Sequence, residues 1–129
     1  MMTSGDPVAR WHDYMHAPTP ERLAALLHDD CVFQSPAVHT PQKGKALTMK
    51  YLLAEAQVLG GESFRYVGEW RAERSAVLEF ECEVDGKYVN GVDIIAWDGE
   101  GLITGFKVMI RPIKAFDAVV PKMAAVLMG

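Results

Sequence analysis

The chain is short of cysteine, of clustered positive charge and of long apolar runs, and each shortage removes a class of function. Only Cys31 and Cys82 occur among 129 residues, with no motif spacing around either, so no disulfide framework or cysteine metal site is expected. Both lie in apolar, strand-like segments where a thiol acts as a small hydrophobe, which predicts a reduced, cytoplasmic protein. Thirteen basic residues against seventeen acidic ones leave a net charge of −4, and lysine and arginine never cluster. Nucleic-acid binding therefore lacks its electrostatic footprint. No apolar stretch approaches the roughly 20 residues that a bilayer span requires. The N-terminus lacks a charged-then-apolar leader, so secretion is not expected either. Repeats, linkers and low-complexity tracts are absent. There is no Rossmann glycine fingerprint and no serine elbow, and Lys43-Gly44-Lys45 lacks the other residues of a phosphate loop. No cofactor is expected, and any chemistry rests on side chains alone.

What is present is an apolar half of the sequence, enough to build one core. Asp6-Pro7 and Thr19-Pro20 each pair a capping residue with proline at the first helical position. Val8, Trp11 and Met15 share one face of the first predicted helix, with Tyr14 at its edge, and Leu23, Leu26 and Leu27 form the stripe of the second. Cys31 to Ser35 reads as a strand stopped by Pro36. Leu47, Tyr51, Ala54 and Val58 predict a third helix, closed by Gly60-Gly61 in a left-handed cap. From Ser63 the period becomes two. Strands are predicted through Phe64–Trp70, Leu78–Val84, Tyr88–Trp97 and Leu102–Arg111, with a tight hairpin at Asp85-Gly86. Ile113 to Met128 reads as a last helix, kinked or restarted at Pro121.

Within the third of those long strands, Val92-Asp93-Ile94-Ile95-Ala96-Trp97, one carboxylate stands among apolar neighbours. A buried acid must be neutral, paired or turned towards a cavity, because an unpaired charge costs several kcal/mol there. Two readings of Asp93 stand open: a neutral acid in a binding site, or a structural partner of an arginine such as Arg111. His12 and His16 have a helical metal-binding interval, yet no third ligand accompanies them, and a solvated pair is expected rather than a metal site. Glu79, Glu81 and Glu83 alternate onto one solvated or partner-facing sheet face.

Phe33-Gln34-Ser35-Pro36 after the second helix, Gly44 before the third, and Asp98-Gly99-Glu100-Gly101-Leu102-Ile103 between the last strands complete a pattern. Over nearly its whole length the chain resembles the SnoaL-like, nuclear transport factor two-like superfamily, the cone fold of ketosteroid isomerases and polyketide cyclases. The resemblance implies an α+β fold, with a cone-shaped curved antiparallel sheet around about three N-terminal helices and a C-terminal helix. It implies a single domain over residues 1–129. It also implies a cone pocket for a small apolar or aromatic ligand, which the C-terminal Met123–Met128 stretch would leave open or plug. Candidate lining residues are Trp11, Phe33, Ser35, Tyr51, Trp70, Phe80, Trp97, Phe106 and Val108, although the aromatic ones serve equally well as core.

By motif, the isomerase oxyanion donors fall on Tyr14 and Asp93, and the proton-shuttling base falls on Ser35. Serine has no useful basicity unaided, so steroid isomerisation is not expected. His39, a few residues on, is the candidate substitute base. The resulting expectation is a small-molecule-binding protein, either a cofactor-independent isomerase, cyclase, dehydratase or hydrolase, or a non-catalytic binding module. Pairing through the outer sheet face would give a homodimer, with Phe106, Val108 and Ile110 inward and Lys107, Met109 and Arg111 outward.

Overall fold

A computed structural model describes residues 6–129. Four helices, α1 (Pro7–His16), α2 (Pro20–Leu26), α3 (Lys45–Leu59) and α4 (Ala115–Met128), accompany six strands. These are β1 (Leu27–Gln34), β2 (Gln42–Lys43), β3 (Arg65–Arg71), β4 (Ser75–Val84), β5 (Lys87–Trp97) and β6 (Ile103–Arg111). The strands form one sheet in the order β2-β1-β6-β5-β4-β3. The architecture is α+β with an open, curved sheet.

The helix starts follow the capping chemistry. Asp6 accepts the Val8 amide at 3.1 Å and Thr19 accepts the Arg22 amide at 3.1 Å, each with proline next in the chain. Gly44 opens α3 at φ +100, a conformation that only glycine adopts freely, and its N–H donates to the Cys31 carbonyl at 2.8 Å. That bond ties α3 to β1. Asp85 and Gly86 both have positive φ, the geometry of the two-residue β4–β5 hairpin.

Four expectations need correction. The sheet is not wholly antiparallel, since β1 runs parallel to β6 after the chain crosses through the helices. The second helix stops at Leu26, and Leu27 is already extended at φ −101, ψ 137, so the strand begins four residues before Cys31. Gly60 is not left-handed but extended at φ −84. It is needed for space, because a Cβ there would sit 2.6 Å from the Ala56 carbonyl oxygen. Finally, of the kink or restart expected at Pro121 the restart is absent, since α4 is one helix through it.

The core lies between the helices and the inward sheet face. Phe33, Phe80, Leu23, Leu27, Leu78, Ile95 and Ile103 are its largest fully buried members. Alternation on β4 sends Ala76, Leu78, Phe80, Cys82 and Val84 inward. Their β5 partners are Ile95, Asp93, Gly91, Val89 and Lys87, so register alone puts Asp93 on the core face.

Candidate active site

Asp93 is 6% exposed and lies between Leu78 and Val108 in the sheet. Its partner is not Arg111, whose guanidinium instead donates to Asn90 at 3.5 Å. The Tyr66 hydroxyl donates to Asp93 Oδ2 at 2.5 Å, and the Trp11 indole N–H donates to the Tyr66 oxygen at 2.9 Å. A chain of donors from α1 through β3 therefore ends on a carboxyl in β5. Burial pushes Asp93 up from 3.8 to about 7, although the Tyr66 hydrogen bond works the other way by favouring the charged form. Burial, and next the negative charge of Asp93, hold the Tyr66 phenol well above its ordinary value.

Surface ion pairs position α1. Arg71 grips Asp6 with two hydrogen bonds of 3.2 and 3.0 Å, and its Nε donates to Glu69 at 2.7 Å. Glu69 also meets His12 at 3.0 Å, so His12 is part of the clamp holding α1 against β3. At the turn between β5 and β6 the Arg10 guanidinium donates to the Gly101 carbonyl. Between these anchors Trp11 and Tyr14 point inward, 4% and 2% exposed, with ring centroids 5.1 Å apart.

Asp93 opens on a small chamber of about 40 Å³ walled by Trp11, Tyr14, Phe64, Tyr66, Phe80 and Phe106. One further acid faces it: Glu55, on α3, 9% exposed. Burial, then the charge of Asp93, push Glu55 well above the usual carboxylate range, and among the described residues no hydrogen bond offsets them. No lysine, arginine or histidine lines the chamber. A vestibule of about 520 Å³ shares Tyr14, Phe64 and Tyr66 with it and adds His12, His16 and Arg65. On the other side Glu55 and Leu59 also face an apolar cavity of about 150 Å³ between α3 and α4. Met123, Ala124 and Leu127 of α4 form part of that cavity's wall.

The structure thus gathers Trp11, Tyr14, Phe80, Asp93 and Phe106 around one chamber. Ser35 and Tyr51 line the α3–α4 cavity instead, and the Ser35 hydroxyl is occupied as an acceptor for the Ala37 amide at 3.2 Å. Phe33 is core, stacked on Tyr51 at 5.4 Å, and Val108 is fully buried beside Asp93. His39 is exposed in a shallow groove away from the two acids. Trp97 is half-buried at the end of β5 and does not reach the chamber.

Trp70 lies on the opposite face of the sheet and is 58% exposed. Strict alternation from Tyr66 would have turned it inward. A bulge between Tyr66 and Gly68 shifts the phase, so Tyr66 pairs with inward Phe80 while Trp70 pairs with outward Val77. Sequence reasoning missed Tyr66 and Glu55. The available signal for Glu55 was its place three residues after Leu52 and four before Leu59 on one helical face.

This architecture has close counterparts among solved structures. A steroid delta-isomerase from Pseudomonas aeruginosa is similar at 33% identity, with a TM-score of 0.88 over 95% of this chain and 89% of that one. An uncharacterized bacterial protein with a cystatin-like fold from Silicibacter pomeroyi shows 30% identity and a TM-score of 0.87, over 96% and 86%. A nuclear transport factor two-like protein of unknown function from Mesorhizobium loti, at 18% identity and a TM-score of 0.69, shares the fold over 82% and 88%. The chain belongs to the SnoaL-like, nuclear transport factor two-like superfamily. No family model matches the sequence, and no curated protein does. Among the described residues of this superfamily member, no helix is long and apolar enough to cross a membrane.

Proposed function

We propose that this superfamily member binds a small, largely apolar molecule in the cone pocket and performs cofactor-independent acid–base chemistry on it. The carrying observation is Asp93: a buried carboxyl, hydrogen-bonded by Tyr66, facing an aromatic chamber that shares lining residues with two larger spaces. A carboxyl near 7 is matched to proton transfer at neutral pH. Tyr14, whose phenol is raised by burial, lines the chamber and vestibule and supplies a neutral donor for a ligand oxygen. Similarity to a protein named a steroid delta-isomerase favours isomerase-type chemistry. Ser35 in the base position argues against that same reaction by the same residues. It also keeps a second reading in play, a binding module without turnover. Two buried free thiols suit a reducing compartment such as the cytoplasm.

The test uses 2-naphthol, an uncharged aromatic enol mimic, titrated against the protein by fluorescence. Saturable binding that Asp93→Asn weakens at least tenfold is expected. Equal affinity in the two proteins would remove Asp93 from the ligand site.

A further inference from the structure

Resting on that reading of the Asp93 site, we propose that Glu55 is its second proton-transfer group. Asp93 takes a proton from carbon while Glu55 delivers one to oxygen, and the substrate is an uncharged ketone with acidic α-hydrogens. Three observations meet here. The two acids face one chamber that no basic side chain enters, so an anionic substrate would be repelled and a neutral one accepted. Their surroundings differ: Tyr66, itself held by Trp11, donates to Asp93, whereas among the described residues no donor reaches Glu55. When two nearby carboxyls share one proton, the one with a donor keeps the charge and the other keeps the proton. Glu55 also lines both the chamber and the α3–α4 cavity, so it stands where a ligand body would pass from one to the other. A space of about 40 Å³ holds a polar head and no more, which leaves the apolar body to the adjoining cavity.

The step balances without a cofactor. The α-C–H bond breaks and its proton goes to Asp93. Its electron pair forms the C=C bond of an enol, and the carbonyl π pair becomes the O–H bond to the proton from Glu55. Reversal returns a proton to the same carbon, or to a conjugated one, which exchanges or isomerises the ketone. The titratable groups facing the pair among the described residues are Tyr14 from α1, Tyr66 from β3 and, in the α3–α4 cavity, Tyr51 from α3 itself; β4 and β6 present Phe80, Phe106 and Ile110, and α4 faces Glu55 with apolar residues.

The experiment follows α-hydrogen exchange of 2-tetralone in deuterium oxide by proton NMR, with binding measured in parallel. The wild type should exchange it with a bell-shaped pH profile, rising as Asp93 ionises and falling as Glu55 does. Glu55→Gln and Glu55→Leu should bind 2-tetralone within a few-fold of wild type. Both should lose about 100-fold in exchange rate, together with the alkaline limb. Asp93→Asn should lose the exchange altogether. Glu55 variants that exchange at the wild-type rate across pH, while Asp93→Asn does not, would overturn the role of Glu55 and spare that of Asp93. Wild-type protein that fails to exchange the ketone overturns the proposal, and 2-naphthol binding that depends on Asp93 would then leave a ligand site without this chemistry.

Discussion

At the scale of the residue, the buried acid on β5 makes the protein's stability depend on pH in an unusual direction. Asp93 ionises at about 7 in the folded chain and at 3.8 in the reference state, so the folded protein holds the extra proton between these values. Its contribution is whole below the lower value, falls as pH rises through the window and is gone above the upper one. The span amounts to about 4 kcal/mol. Glu55 acts in the same direction. Urea unfolding of wild type and Asp93→Asn at acid and mildly alkaline pH measures this. The asparagine variant keeps an acceptor for Tyr66 and should lose much less stability on going to alkaline pH. Equal losses in the two proteins would show that Asp93 is already charged in the fold at low pH. Asp93 was legible from sequence because an acid among Val and Ile has few ordinary explanations. Glu55 was not, because acids are common on helices and only packing shows which face turns inward.

At the scale of the element, tight contacts between strands shape the site. Gly91 faces inward opposite Phe80, and a Cβ there would lie 2.5 Å from the Phe80 ring and 2.5 Å from the Met109 carbonyl oxygen. The backbone atom cannot yield, and the ring that would have to shift is one of the walls of the chamber. Gly91→Ala should therefore destabilise by about 2 kcal/mol, the usual scale of overpacking, and weaken 2-naphthol binding as well. Thermal unfolding together with the binding titration checks both, and a stable variant of normal affinity would mean that the sheet relaxes freely. Most elements were legible because their periods are clean, two along β4 and β5 and helical along α1, whereas on α3 the expected stripe fails: Leu47 is 41% exposed while Thr48, Leu52, Glu55 and Leu59 are buried. The errors fall where tertiary structure breaks a period. The β3 bulge carried Trp70 to the outer face, and the parallel pairing of β1 with β6 is set by the crossover through the helices, which no local pattern encodes.

At the scale of the whole molecule, the misplaced tryptophan points to an association surface. Trp70 and Met109 are 58% and 50% exposed on the outer sheet face, with half-buried Val77, Ile94 and Val92 between them, and Tyr88, 48% exposed, lies beyond the row of Glu81, Asn90 and Arg111. Charge surrounds this strip: Glu81 meets Arg65 at 3.2 Å and Tyr88 at 2.6 Å, and Lys107 and Arg111 lie on the β6 side. An apolar strip with a polar rim is the composition of a protein–protein contact, and a two-fold arrangement would let each copy cover the other's strip. The outer face of this sheet is therefore proposed to pair two copies of the chain. Size-exclusion chromatography with light scattering should give twice the mass of one chain, and Met109→Glu combined with Ile94→Lys should halve it. Because the acids open on the opposite face, the monomeric variant should still bind 2-naphthol with little change. A wild type of single-chain mass would remove the dimer and leave the site untouched. A monomeric variant that lost the ligand would instead show that pairing holds the curvature of the sheet, and with it the distance between Asp93 and the helices that cover it.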